Sequence, residues 1–109
     1  MKKPDSLQGT LDLLVVKILS RRPRTHGYGI MAAVKDCSED LLHVEEGSLY
    51  PALYRMEEAG LIRAEWIKKD TGRRGRIYEL TAAGKKQLGM EESRWQSASA
   101  AINQVLRTV

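Results

Sequence analysis

Two groups of side chains in this sequence have the types and spacing needed to contact another molecule. The segment Lys68–Arg76 carries five cations and one acid, which suits contact with phosphate groups. Ahead of it, Ser48, Tyr50, Tyr54 and Arg55 place hydroxyl and guanidinium groups on one predicted helix. Such groups can bond to base edges or phosphates in a groove about as wide as a helix. The five cations are Lys68, Lys69, Arg73, Arg74 and Arg76.

Catalytic and metal chemistry find little support in the same sequence. His26 and His43 are far apart and poor in partners, and Cys37 is the only cysteine, so no thiolate cluster for zinc can form. We expect Cys37 to be at least half-buried, and the acids between residues 36 and 46 to form a solvated stretch. No phosphate loop or nucleophile–base set is visible, so we predict neither an enzyme nor a bound cofactor or metal.

Length and composition indicate one compact unit with a positive bias. The chain has 109 residues and a formal net charge of +4, with 29% charged and 42% hydrophobic residues. These values are typical of a folded domain. No apolar run approaches the roughly 18 residues of a membrane span, and Met1–Ser6 is polar. The expected location is therefore the cytoplasm.

Helical periodicity predicts two helices in the first third of the chain. The first extends from about Leu7 to Ser20, capped by Ser6. A second helix follows Gly27, with Tyr28 on its buried side together with Met31 and Val34. The apolar stripe expected on the first helix is Leu7, Leu11, Leu14, Val15, Ile18 and Leu19.

A third helix is predicted from Ser48 to about Ala59, and a hairpin should follow it. Ser48 would be its N-cap, Pro51 would fall in the first turn, and Gly60 would end it. The segment 61–68 has the composition of a strand, residues 70–72 form a turn signal, and residues 76–80 alternate as a returning strand.

The last predicted helix begins after Thr81 and carries apolar residues at heptad spacing. A stripe of this kind needs a partner surface, so we predict dimerisation through it. Trp95 is expected to be a dimer-core residue, with a role as a platform for a ligand as the alternative. The predicted dimerisation residues are Leu88, Trp95, Ala98, Ile102, Val105 and Val109.

The order of elements predicts the fold class. Three helices, a two-stranded hairpin and a final helix correspond to an α+β, mainly helical winged helix-turn-helix with a long C-terminal dimerisation helix. We predict two units, a winged helix-turn-helix DNA-binding domain at residues 1–80 and the dimerisation helix at residues 81–109.

Four segments also resemble the PadR family of bacterial transcriptional regulators. They are His26–Ile30, Glu46–Leu53, Met56–Ile62 and Arg74–Gly84, and the Gly-Ser-Leu-Tyr-Pro stretch within the second is the most specific. The resemblance covers about residues 7–90, and the length is similar to that of short members with a single C-terminal helix.

The resemblance implies a homodimer that binds a palindromic operator in double-stranded DNA, usually as a repressor. It assigns base reading to Ser48, Tyr50, Tyr54 and Arg55, and phosphate contacts to the hairpin. Some members bind phenolic acids or flat aromatic drugs at the dimer interface, where Trp95 would allow stacking. A winged-helix module that contacts proteins without DNA is the alternative, and the basic hairpin argues against it.

Overall fold

The computed structural model describes residues 9–109, which form four helices and one three-stranded antiparallel sheet. The predicted mainly helical winged helix-turn-helix with a long last helix is confirmed. The predicted cap Ser6 and Leu7 lie outside the described residues. The elements are α1 Thr10–Arg21, β1 Thr25–His26, α2 Gly27–Cys37, α3 Glu46–Glu58, β2 Ile62–Lys68, β3 Arg74–Leu80 and α4 Ala82–Thr108.

The buried face of α1 is rotated around the helix axis from the predicted stripe, by about the angle between successive residues. Val15 and Leu19 are buried as expected, but the other fully buried positions are Asp12 and Val16. These four positions follow the i, i+3, i+4, i+7 pattern of one helix face. Leu11, Leu14 and Ile18 are only partly buried, because they flank this face.

The sheet has the order β1-β3-β2, and its first strand was not predicted. Thr25 pairs with Tyr78 and His26 pairs with Ile77, so the short connection after α1 is part of the sheet. Two residues are too few to show strand periodicity. The His26 ring adds a contact, since Nδ1 lies 3.2 Å from the carbonyl oxygen of Arg76.

The prediction for the start of α3 was wrong by two residues. The helix begins at Glu46 with Glu45 as N-cap, and the Ser48 and Leu49 amides both donate to the Glu45 carbonyl, at 3.0 and 2.9 Å. Ser48 is therefore inside the first turn rather than a cap. Pro51 falls in the second turn and removes the amide that would have bonded to the carbonyl of residue 47.

One glycine turn and one cap connect α3, the hairpin and α4. Gly60 ends α3 with a φ of 78°, which a glycine adopts without strain. Thr81 caps α4 as predicted, accepting from the Gly84 amide at 3.0 Å, and its hydroxyl donates to the Gly60 carbonyl at 2.7 Å. The hairpin and the last helix are therefore joined at the end of α3.

The core lies where α1, α2, α3 and the sheet meet. It contains Val16, Ile30, Leu53, Ile62 and Tyr78 among other residues. Leu88 of α4 belongs to this core, at 7% exposure. Cys37 is exposed, contrary to prediction, because it is the last residue of α2 and lies beyond the packed part of that helix.

Candidate nucleic-acid interface

The outer side of α3 carries two exposed tyrosines on a small surface. Tyr50 and Tyr54 have 41% and 65% of their surface exposed, and Gly47 and Pro51 on the adjoining part of the helix are also exposed. We call these four residues the outer face of α3. Glycine and proline protrude little from a helix, so the two tyrosines supply the polar groups of this face.

Ser48 and Arg55 lie along a different edge of the same helix. Ser48 is exposed, but it lines a cleft with Trp95 rather than the surface of the two tyrosines. Arg55 donates from both terminal nitrogens to the carboxylate of Asp12, at 2.5 and 3.0 Å. The hydrogen bond to Asp12 raises the pKa of Arg55 above its ordinary value. The structure therefore places the guanidinium of Arg55 against α1 and not on the outer face.

Asp12 is the residue that sequence reasoning missed. Its side chain is fully buried, although Asp12 was not part of the stripe predicted for the first helix. The helical period could have indicated its burial, since Asp12 lies on the same helix face as Val15, Val16 and Leu19. A buried carboxylate requires a partner, and the partner is supplied by α3.

The hairpin β2–β3, called the wing below, has a tip rich in free cations. Within residues 9–109, the side chains of Lys68, Lys69 and Arg73 form no ion pair, and all three are exposed. The turn is closed by backbone bonds from Lys69 to Arg73 at 2.7 Å and from residue 72 to Lys69 at 2.8 Å. Strand β3 begins at Arg74, two residues earlier than predicted, so the tip outside the strands is shorter than predicted.

Trp66 contacts the remaining two cations of the wing, Arg74 and Arg76. The guanidinium carbon of Arg74 lies 4.7 Å from the Trp66 ring centroid, and that of Arg76 lies 5.3 Å from it. Both distances are within the range of a cation–π contact. Arg76 also donates to Glu57 of α3 at 3.0 Å, which joins the wing to α3. Among the described residues, the buried Nε of Arg76 has no hydrogen-bond acceptor.

A cleft of about 480 Å³ separates the wing from α3 and is lined mainly by aromatic rings. We call it the aromatic cleft. Its floor is Tyr78, whose pKa is raised chiefly by burial. Lys69 and Arg76 bring positive charge to its wing side. The other rings that line it are Tyr28, Tyr50, Tyr54 and Trp66.

The prediction that Tyr28 packs in the core was wrong. Its side chain is 76% exposed and lines the aromatic cleft. Tyr28 is the second residue of α2, and the adjoining Gly27 and Ile30 are the buried positions of that turn. The ring therefore lies outside the core and borders the same cleft as Tyr50 and Tyr54.

The predicted dimerisation residues of α4 divide into two groups. Leu88 packs into the core of its own chain, so it does not belong to an outward stripe. Beyond it the apolar side chains are exposed, at 48% for Trp95, 57% for Ile102 and 56% for Val105. We call this exposed set, with Ala98 and Val109, the C-terminal stripe.

Trp95 also borders an apolar cleft of about 550 Å³. Leucines from α1 form one wall, and residues 42–45 form another. A second, smaller space on the other side of Trp95 is lined by Leu13, Arg94 and Ala98. The indole of Trp95 therefore borders two spaces that are also lined by α1, and it remains 48% exposed.

Two kinds of site were not found in the part of the chain that the structure describes. No three His, Cys, Asp or Glu side chains of residues 9–109 come together as metal ligands do. In the same range, no helix has the length and apolar character needed to cross a membrane.

The fold and this surface define a winged helix-turn-helix protein, and comparison with known proteins gives the family. Residues 15–90 match the transcriptional regulator PadR-like family. The chain belongs to that family, whose members are transcriptional regulators. The resemblance inferred from the sequence motifs is therefore confirmed.

Solved structures agree with this assignment. A PadR family transcription regulator from Clostridium difficile is 34% identical, with a TM-score of 0.76 over 90% of this chain and 99% of that one. A PadR family transcriptional regulator from Eggerthella lenta is 28% identical, with a TM-score of 0.80 over 93% and 85% of the two chains. PadR of Bacillus subtilis, solved in complex with operator DNA, is 23% identical with a TM-score of 0.67, over 74% of this chain and 46% of that one.

Proposed function

We propose that this chain is a sequence-specific DNA-binding regulator that represses transcription by occupying an operator. One observation carries the proposal. Lys69 and Arg76 of the wing and the exposed Tyr50 and Tyr54 of α3 lie on the two sides of one cleft. Positive charge beside a helix with projecting hydrogen-bonding groups is the arrangement needed to hold a phosphate backbone and read bases next to it.

The two sides have different tasks in this proposal. Tyr50 and Tyr54 contact base edges or the adjoining phosphates in the major groove, and Ser48, which is exposed on a different edge of α3, contacts the adjoining phosphates. The wing cations, Lys68, Lys69, Arg73, Arg74 and Arg76, bind the flanking backbone. Tyr28 joins them as a phosphate contact, because its exposed ring borders the same cleft. Arg55 is not included, because its guanidinium is occupied by Asp12.

The proposal includes a homodimer built on the C-terminal stripe. Trp95, Ile102 and Val105 leave apolar surface in contact with water along one helix, which is unfavourable. A second copy of α4 would bury that surface. Residues 1–80 then act as the DNA-binding unit and residues 81–109 as the dimerisation helix. A two-fold axis would set the two α3 helices about 34 Å apart, or a multiple of it, on a palindromic operator.

We further propose that a planar aromatic effector can release the repressor. The support is the apolar cleft beside Trp95, which is formed by α1 and lies next to the proposed dimer interface. A ligand stacked there would favour a dimer whose helix separation no longer fits the operator. Acting on DNA in this way, the protein would work in the cytoplasm.

The experiment that tests the proposed function is selection of duplexes from a randomised DNA library by the purified chain. We expect enrichment of an inverted repeat, and a gel shift with DNA from upstream of the chain's own gene. Failure to enrich any sequence, together with no binding to nonspecific DNA at low salt, would refute DNA binding. It would favour a winged helix that contacts proteins instead.

A further inference from the structure

We propose that Asp12 is a positioning residue, which through Arg55 sets the orientation of α3 and thereby its sequence discrimination. The inference rests on the proposed DNA-binding function and adds a residue that never touches DNA. It begins from the ion pair between these two side chains. The side chain of Asp12 is 1% exposed and that of Arg55 is 37% exposed.

The geometry of the pair restricts rotation of α3. Both terminal nitrogens of Arg55 bond to the two carboxylate oxygens of Asp12, so two planar groups are held edge to edge. Apolar contacts between α1 and α3 allow small slips of one helix over the other, since dispersion is not directional. A two-point hydrogen bond does not, and the desolvated carboxylate of Asp12 has a strong need for it.

A second ion pair holds the other side of α3. Glu57 accepts from Arg76 of the wing at 3.0 Å, and Glu57 is two residues after Arg55. Residues two apart lie about 200° apart around a helix. The reading helix is thus tied on one side to α1 and on the other to the wing, with the outer face of α3 between the ties.

The α1 tie also connects the reading helix to α4. Helix α1 packs against both α3 and α4, and Lys17 of α1 lies 3.2 Å from Glu92 of α4. A site that reads bases needs its side chains held to within about 0.5 Å and 10–20°. The ion pair between Arg55 and Asp12 provides such a restraint for α3. Because α1 also packs against α4, the position of α3 is coupled to that of α4 through α1.

The test compares stability with sequence discrimination in variants of the full chain. Asp12→Leu with Arg55→Met replaces the ion pair by apolar side chains, a type of exchange that often preserves stability. We expect a thermal midpoint within about 5 °C of the parent. We also expect the Kd ratio between a scrambled duplex and the duplex selected by the parent chain to fall at least about tenfold.

A second variant covers the case in which the double replacement does not fold. Asp12→Asn keeps the shape and one acceptor, and we expect a folded protein whose ratio falls at least about threefold. Because Asp12 is buried, such an effect does not come from direct contact between Asp12 and DNA. The matched control is Arg63→Met with Glu79→Gln, which removes an ion pair within the sheet between exposed Arg63 and half-buried Glu79 and should leave the ratio unchanged.

Two readouts separate positioning from direct contact by Arg55. If Arg55 bound a phosphate, its loss would lower the salt slope of binding by about 0.9, whereas positioning leaves the slope intact. If Arg55 read a base, repeated selection would lose preference at one position, whereas a reoriented α3 loses it across the half-site.

Three outcomes would count against the inference. A folded Asp12 variant that retains the parent ratio overturns the positioning role and leaves the proposed function standing. Loss of preference at a single base pair, with a lower salt slope, assigns Arg55 to DNA and also overturns it. A parent chain that enriches no sequence refutes the proposed function, and the inference falls with it.

Discussion

The ring of Tyr50 occupies the space that a side chain at Gly27 would need. A methyl group at Gly27 would lie 2.6 Å from the Tyr50 hydroxyl oxygen and 2.9 Å from two ring carbons. Gly27 is buried at the start of α2, and Tyr50 belongs to the outer face of α3. The absence of a side chain at one helix start therefore determines where a proposed DNA-contacting ring can lie.

Gly27→Ala should move Tyr50 and destabilise the chain. The methyl group would meet the far end of a side chain that is 41% exposed, so the cost in stability should lie toward the low end of the about 1–3 kcal/mol that overpacking takes. The displaced ring should also weaken binding to the selected duplex. Gly47→Ala is the control for stability, because a methyl group there meets nothing within 4 Å. Denaturant unfolding and a binding titration would check both. A Gly27→Ala chain as stable as the parent, with unchanged affinity, contradicts the expectation.

Neutralising the wing should reduce the salt dependence of DNA binding. Arg73→Ala with Arg74→Ala removes two cations, so the slope of log K against log salt should fall by about 1.8 if both contact phosphates. Affinity should fall for specific and nonspecific duplexes alike. Arg73→Lys with Arg74→Lys keeps the charge and should keep the slope. An unchanged slope in the alanine variant would remove the wing tip from the phosphate contacts.

Introducing a charge into the C-terminal stripe should separate the protomers. Trp95→Glu places a carboxylate in the proposed interface, where burying it unpaired is costly. Sedimentation equilibrium should then give the mass of a single chain. Trp66→Glu is a matched control, since Trp66 is similarly exposed at 54% but lies on the wing. A Trp95→Glu protein that remains dimeric would show that the interface lies elsewhere.

The buried phenol of Tyr78 should make the fold less stable in alkaline solution. Burial raises its pKa in the folded chain, so the folded state binds the proton more tightly than the unfolded state does. Its contribution is present below the ordinary tyrosine value of about 10 and is lost as the pH rises through the raised pKa.

Thermal unfolding between pH 8 and pH 11.5 would measure this effect. Tyr78→Phe should show a smaller loss of stability than the parent over that interval. Tyr28→Phe should follow the parent, because the Tyr28 ring is exposed in the folded chain. Parallel curves for the parent and Tyr78→Phe would exclude the ionisation of Tyr78 as a source of alkaline destabilisation.

Local patterns in the sequence were enough to predict most elements of the fold. The stop at Gly60, the cap at Thr81 and the returning strand depend on backbone conformations and hydrogen bonds within a few residues of each signal. The basic tip of the wing is likewise a matter of composition. Strand β1 escaped prediction because its partner, Tyr78, is more than fifty residues away.

The site itself was only partly predictable. Exposed Tyr50 and Tyr54 follow from the period of α3, since the buried positions Leu49, Leu53 and Met56 leave them outside. Tyr28 was misplaced because an aromatic ring in the first turn of a helix can face either side. Which side the Tyr28 ring faces depends on which face of α2 packs against the core, and the tertiary structure decides that.

By itself the sequence determined the order of the four helices and the hairpin, the basic wing and the apolar period of the last helix, because each depends on neighbours along the chain. Only the tertiary structure decided the role of Arg55. Whether a guanidinium faces DNA or a buried carboxylate depends on Asp12, forty-three residues earlier. The pair forms because packing α3 on α1 removes Asp12 from water, and a buried charge must then find a partner.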